Sequence, residues 1–289
     1  MNRNSTRNIL NRQKLAPQKK LGQNFLVHSH TAERIVQKAA IKKNDIVTEV
    51  GVGLGALTRP LAAAAQQVIG IETDSGIIRL HREQQDLPTN VILRHQDILQ
   101  VDFKQLAAES GGRIFFIANL PYSISTPFLF KLINHAHLIQ RAVIMLQQEV
   151  AQRLAAQPGT KEYGVPTVLL ASCADIKMVM RVKPEEFHPR PRVDSAVVEL
   201  SFFPVPDRVE KLDKFCANTL RKVVSTAFGK RRKTLINALQ SGDFSLTKMQ
   251  LHELLATCNI SPSIRAERLE LQDFIRLTNG IENYQKIIT

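Results

Sequence analysis

From Asp45 onward, short apolar runs alternate with stretches of helical periodicity, the rhythm of βαβ units that feed a parallel sheet. Ile46 to Val50 predicts a first strand, Val68 to Ile71 a second, Val91 to Leu93 a third, Ile114 to Ala118 a fourth and Ala142 to Leu146 a fifth. A helix is predicted from Ala56 to about Gln66, and Gln147-Gln148-Glu149 opens another after the fifth strand. Asp175 to Val182 and Ser195 to Phe203 read as further strands, separated by a Pro-rich loop from Pro184 to Arg192. Upstream, Lys19 to Leu26 reads as an ordered loop entering a helix from about Ser29 to Ala39, with Ser29 or Thr31 as candidate caps. Pro204 and Pro206 mark a linker, beyond which Leu212, Phe215, Leu220, Val223, Val224 and Phe228 recur at helical spacing. The expected organisation is a flexible arm over residues 1–18, an α/β domain over 19–205 and a small all-α domain over 206–289.

Composition agrees with a globular chain: 289 residues, 44% hydrophobic, and no apolar run near the roughly 20 residues that span a bilayer. Met1 to Pro17 has no apolar core of a secretory signal. Cys173, Cys216 and Cys258 are widely spaced without a CxxC pattern, as expected of thiols in a reducing compartment, and the cytoplasm is the expected location. The formal charge of +13 changes the picture more, because it calls for a polyanionic partner. Its distribution is uneven. Arg3, Arg7, Arg12, Lys14, Lys19 and Lys20 all precede the first acid, Glu33, and Lys230-Arg231-Arg232-Lys233 forms a second cluster. Each cluster is a candidate patch for a polyanion, which net charge alone does not resolve into RNA, DNA or an anionic membrane; the competing reading is a solvated charged face.

Candidate chemistry lies at the strand ends. Gly51, Gly53 and Gly55 stand between a strand and a helix, where backbone can approach a ligand closely and aim its amides at it. With Ala56 the spacing also satisfies a dinucleotide fingerprint, and Glu72 lies near the offset expected of a ribose-binding acid. Such an acid serves NAD and S-adenosylmethionine alike. Asp97, after the third strand, can accept from an adenine amine or cap a turn. Asn119-Leu120-Pro121-Tyr122 follows the fourth strand, and a nicotinamide enzyme has no evident use for it. An Asn oxygen and a nearby carbonyl can accept from an amine while the Tyr face stacks on a base. Against this stands an ordinary strand-to-helix turn.

These motifs together resemble the ribosomal RNA adenine dimethyltransferases that modify two adjacent adenosines near the 3' end of small-subunit ribosomal RNA. The resemblance runs from Lys19 to about Leu277. It rests on Lys20 to Leu26, Glu49 to Thr58, Ile71 to Asp74, Gln96 to Leu99, Asn119 to Pro127, Phe187 to Ala196, Phe228 to Thr234 and Arg265 to Leu269. Val52 departs from it, standing where proline is frequent. The resemblance implies a Rossmann-like, mainly parallel methyltransferase domain with a C-terminal helical domain that helps hold the ribosomal substrate. It implies S-adenosyl-L-methionine as cofactor, contacted by Asn24, Leu26, Gly51, Gly53, Glu72, Asp97 and Asn119. The expected substrate is small-subunit ribosomal RNA within a pre-assembled subunit, met by a monomer with no membrane involvement, in ribosome biogenesis. In the expected mechanism Asn119 and a carbonyl at Leu120 or Pro121 accept from the adenine amine, and Tyr122 offers one stacking face. Phe187 offers the other face or is a core residue. Alternatives are a large-subunit adenine dimethylase of the antibiotic-resistance type, an assembly checkpoint factor with methylation secondary, a DNA adenine methyltransferase and a NAD oxidoreductase.

Overall fold

A computed structural model describes residues 22–230 and 232–288, so the basic arm and Arg231 lie outside the described residues. The described residues open with strand β1 (Phe25–Leu26) and helix α1 (Ser29–Lys38), then alternate β2 (Ile46–Val50), α2 (Thr58–Ala64), β3 (Gln67–Glu72) and α3 (Ser75–Gln84). It continues with β4 (Val91–His95), α4 (Phe103–Glu109), β5 (Ile114–Asn119), α5 (Tyr122–Asn134), β6 (Ile139–Gln147) and α6 (Gln148–Leu154). After α7 (Val165–Ala171) come β7 (Asp175–Val182), β8 (Phe187–His188) and β9 (Ser195–Ser201).

Seven strands form one sheet in the order β4-β3-β2-β5-β6-β9-β7. All pairings from β4 to β6 are parallel, and β9 runs antiparallel to β6. The apolar run of β5 has its cause here: with a parallel neighbour on each side and helices over both faces, five of its six residues are buried. Adjacent residues of β5 serve opposite faces. Phe115 joins Leu26, Ile35, Leu61, Val143 and Val197 in one core. Phe116 packs on the other side against Phe103 and edge-on to Phe128, with ring centroids 5.1 and 5.5 Å away.

The two short strands β1 and β8 pair with each other, setting Leu26 opposite Phe187. Part of the Pro-rich loop is therefore ordered by a partner more than 150 residues upstream. The expected caps of α1 are not used: the N-cap is His28, which makes no side-chain cap, and the Thr31 hydroxyl donates to Glu186 Oε2 at 2.6 Å. Helix α2 begins two residues later than expected, at Thr58.

Two compact units emerge. The first comprises the described residues up to Ala151 together with Ile176–Pro204 and contains the sheet. The second comprises Gln152–Asp175 and Val205–Thr289. Segment 152–175, expected within the methyltransferase domain, thus groups with the C-terminal helices, including α8 (Asp207–Glu210), α9 (Ala217–Gly229), α10 (Leu235–Leu239), α11 (Lys248–Thr257) and α12 (Leu271–Ile288). Tyr163 is the tie. Its hydroxyl donates to Leu269 O at 2.9 Å and its ring meets Phe228, which stacks on Phe274. Among the described residues no helix is long and apolar enough to cross a membrane.

Candidate functional site

The strand order reverses between β2 and β5, and in open α/β sheets the crevice beyond the carboxyl ends at such a point takes the ligand. Register fixes what meets there. Val50 pairs with Ala118 and with Ile71, so the residues that follow, Gly51, Asn119 and Glu72, arrive side by side. A cleft open to solvent lies at this point, at the place where open α/β sheets take small ligands. It is lined by Asn24, Leu26, Gly51, Gly53, Glu72 and Asn119 among others. Six expected cofactor residues thus converge on one cavity.

Gly51 has a φ of +81°, and a Cβ there would sit 3.4 Å from Asn119 O. A side chain at that position would strain the turn and crowd the end of β5. The loop is braced from outside through its carbonyls. His81, almost fully buried, places Nε2 2.8 Å from Gly53 O and Nδ1 2.7 Å from Asp86 Oδ1. Arg59 donates to Leu54 O, Gly55 O and the second Asp86 oxygen. From inside, Glu72 Oε2 accepts from Gly53 N, while Oε1 accepts from the amides of Thr73 and Asp74, each at 2.9 Å. Burial raises the Glu72 carboxyl above its ordinary range, and these amide bonds offset part of that rise.

Glu49, at the end of β2, is fully buried and lines the same cleft. Among the described residues neither of its oxygens has a hydrogen-bond partner, and nor does the hydroxyl of nearby Thr58. Burial pushes its carboxyl up to about 8; the proximity of Thr58 lowers it, and the charge of Glu72 raises it further.

The segment before β1 closes over the cleft. Asn119 Nδ2 donates to Asn24 O at 3.1 Å, and Gln23 Nε2 donates to Asp74 Oδ2 at 2.7 Å. Pro121 caps α5, and its carbonyl accepts from Ile124 N and Ser125 Oγ. Half-buried Tyr122 begins α5 with its hydroxyl 2.8 Å from Ser195 Oγ. Desolvation holds that phenol above its ordinary range.

Two expected site residues sit elsewhere. Phe187 is 1% exposed and belongs to the core with Leu26, so in this arrangement its ring presents no face to a base. Asp97 is exposed and outside the cleft lining, where Oδ1 accepts from Leu99 N, a turn-capping role. Its loop is nevertheless fixed, because Lys131 on α5 donates to Ile98 O, Leu99 O and Val101 O. Lys230, Arg232 and Lys233 are exposed in a turn closed by Lys233 N donating to Lys230 O.

Several contributors escaped the sequence reading. Glu49 stood within the quoted glycine motif, so its position was visible while its lack of partners was not. Ser195 likewise lay in a quoted motif. His81 and Asp86 left no signal, since a lone histidine on a helix has many uses.

The donor set suits S-adenosylmethionine. A close-approach glycine turn, a buried acid at the end of β3 and an unpartnered buried carboxyl can take a nucleoside bearing a positive charge. The comparisons agree. Residues 15–283 match the model of the family described as ribosomal RNA adenine dimethylase. A ribosomal RNA small subunit methyltransferase A from Desulfotalea psychrophila is 50% identical over 285 residues, 96% of this chain and 95% of that protein. One of the same name from Geobacter metallireducens is 42% identical, covering 91% and 94%. Among solved structures, a dimethyladenosine transferase from Plasmodium falciparum superposes with a TM-score of 0.73 at 24% identity, over 90% of this chain and 98% of that one. The 23S rRNA methyltransferase ErmE gives 0.63 at 23%, over 90% and 100%. These two likenesses speak for the fold.

Proposed function

The chain belongs to the ribosomal RNA adenine dimethylase family, and from that premise we propose how its cleft carries out the reaction. It is a methyltransferase that uses S-adenosylmethionine to dimethylate adenine in small-subunit ribosomal RNA. The targets in our reading are the N6 amines of two adjacent adenosines near the 3' end, presented in a pre-assembled subunit to a monomeric, cytoplasmic enzyme.

The cofactor supplies an electrophilic methyl group. This chain's residues must then hold and prepare the amine. The lone pair of an adenine amine is delocalised into the ring, so the nitrogen attacks poorly while planar. Asn119 carries the reading: with Nδ2 engaged by Asn24 O, its Oδ1 remains to accept from the amine. The second acceptor is the Leu120 carbonyl rather than that of Pro121, whose two lone pairs already serve Ile124 and Ser125. Two acceptors set apart favour a pyramidal nitrogen whose lone pair points at the methyl group. Alignment then matters more than a strong base, since the methylated ammonium product sheds its proton readily. For the second methylation one acceptor must release its hydrogen bond, and the carbonyl of Leu120 is the one we assign to that release.

The adenine has to leave its stack, and Tyr122, its ring fixed through Ser195, offers a face for it. Lys230, Arg232 and Lys233 add positive charge for the RNA backbone. Mapping dimethyladenosine in ribosomal RNA from cells with and without the protein tests the reading. The modification disappears from the small subunit in its absence; its persistence there overturns the assignment.

A further inference from the structure

Every carboxylate oxygen of Glu72 is already occupied by backbone amides, whereas Glu49, lining the same cleft, has none of its oxygens satisfied among the described residues. Buried polar groups are ordinarily hydrogen-bonded, and an orphaned carboxyl calls for an explanation such as a ligand that completes it. The surroundings of Glu49 say which kind. On the neighbouring strands it is opposite Gly70 of β3 and Ile117 of β5, neither of them charged. Glu72, two residues beyond Gly70, adds like charge. Thr58 approaches from α2, while Arg59 beside it is committed to Leu54 O, Gly55 O and Asp86. His81 is likewise committed to Gly53 O and Asp86. Among the described residues, the protein therefore places an acid in the cleft while the basic side chains next to it, Arg59 and His81, are committed elsewhere.

We propose that Glu49 is the seat of the cofactor's positive charge: it waits as a neutral acid and gives its proton to solvent when the cleft takes the cation, so that cofactor binding is coupled to proton release. The inference rests on the S-adenosylmethionine reading of the cleft. The balance is simple: a neutral carboxyl and a cation become a carboxylate–cation pair and one free proton. Neutral waiting avoids an unpaired buried charge, and pairing removes that penalty once the site is filled. With the carboxyl held at about 8 in the empty protein, cofactor affinity rises with pH, by up to about tenfold per unit, and levels off above about 8.

Calorimetric titration in buffers of different ionisation enthalpy counts the protons. Wild-type protein titrated with S-adenosylmethionine releases close to one proton per site near about pH 6.5, and about half of one near pH 8. 5'-Methylthioadenosine, which has the nucleoside but neither positive group, binds without release. Glu49→Gln, an isostere of the neutral acid, binds S-adenosylmethionine more weakly and releases no proton, while its affinity for 5'-methylthioadenosine stays at the wild-type value. Binding by wild-type protein without proton release overturns the proposal and leaves the cofactor reading standing. Release that persists in Glu49→Gln overturns it too, because Glu72 would then be the source. Failure of wild-type protein to bind S-adenosylmethionine at all overturns both.

Discussion

Asn119 donates from its side-chain amide to the backbone carbonyl of Asn24, across 3.1 Å and 95 residues of sequence. This bond does two things at once. It holds the loop before β1 over the cleft, and it turns the Asn119 oxygen away from that loop. Because Asn119 is the last residue of a strand whose register with β2 is fixed, its side chain stands beside the glycine turn without relying on a mobile element. Rigid placement of this kind is what a reaction limited by alignment requires.

Tyr122 separates ring from hydroxyl. Tyr122→Phe keeps the stacking face but leaves the fully buried Ser195 without this partner, so stability falls by about 1–3 kcal/mol while turnover by folded protein stays within a few-fold of wild type. Tyr122→Ala removes the face as well, and at about 1–3 kcal/mol per stacked base, RNA methylation efficiency falls by roughly 5- to 150-fold. Thermal melts and steady-state kinetics on unmethylated subunits distinguish the two effects.

The brace behind the glycine turn acts on cofactor binding. Asp86 holds both Arg59 and His81, which between them hold three loop carbonyls. Asp86→Ala leaves the buried His81 ring and the partly exposed Arg59 guanidinium without their carboxylate, at a cost of about 1–3 kcal/mol for His81 and less for Arg59. The expected result is a KM for S-adenosylmethionine raised by about tenfold or more, with a smaller change in the KM for RNA.

Stability of the empty protein follows from Glu49. Its carboxyl is raised from 4.5 to about 8, so between those values the folded state keeps a proton that the unfolded chain has lost. The contribution is complete below about 4.5 and is lost as pH rises through about 8, with a slope of at most about 1.4 kcal/mol per pH unit for one group. Glu72, also raised, acts in the same direction. Denaturant midpoints measured across this range decline toward alkaline pH in the wild type and decline less in Glu49→Gln.

We predict that charge on the exposed turn contributes to RNA binding through counterions. Replacing Lys230, Arg232 and Lys233 with Gln weakens binding to the small subunit and reduces the slope of log K against log salt by roughly 0.7–0.9 per lost phosphate contact. An unchanged slope removes this turn from the interface.

Much of the sheet was legible because parallel strands buried on both faces are written as plain apolar runs, as in β5, and the glycines and acids sit at their ends. What sequence conceals is long-range commitment. Thr31, a candidate helix cap by sequence, spends its hydroxyl on Glu186, and of the two readings open for Phe187, a stacking face or a core residue, its burial beside strand partner Leu26 favours the core. Segment 152–175 precedes β7 in the chain, yet Tyr163 packs it among helices that begin more than 40 residues later. In the site, residue types at strand ends were readable from spacing. The brace of Arg59, Asp86 and His81 exists only once α2 and α3 have folded around the turn.

The acceptor role of Asn119 is tested most directly by single-turnover methyl transfer from labelled S-adenosylmethionine to unmethylated small subunits, comparing wild type with Asn119→Ala. By analogy with the loss of one preorganised hydrogen-bonding group from an active site, the variant transfers at least about a hundredfold more slowly, while its affinity for S-adenosylmethionine changes only a few-fold. Transfer by Asn119→Ala at the wild-type rate contradicts the account.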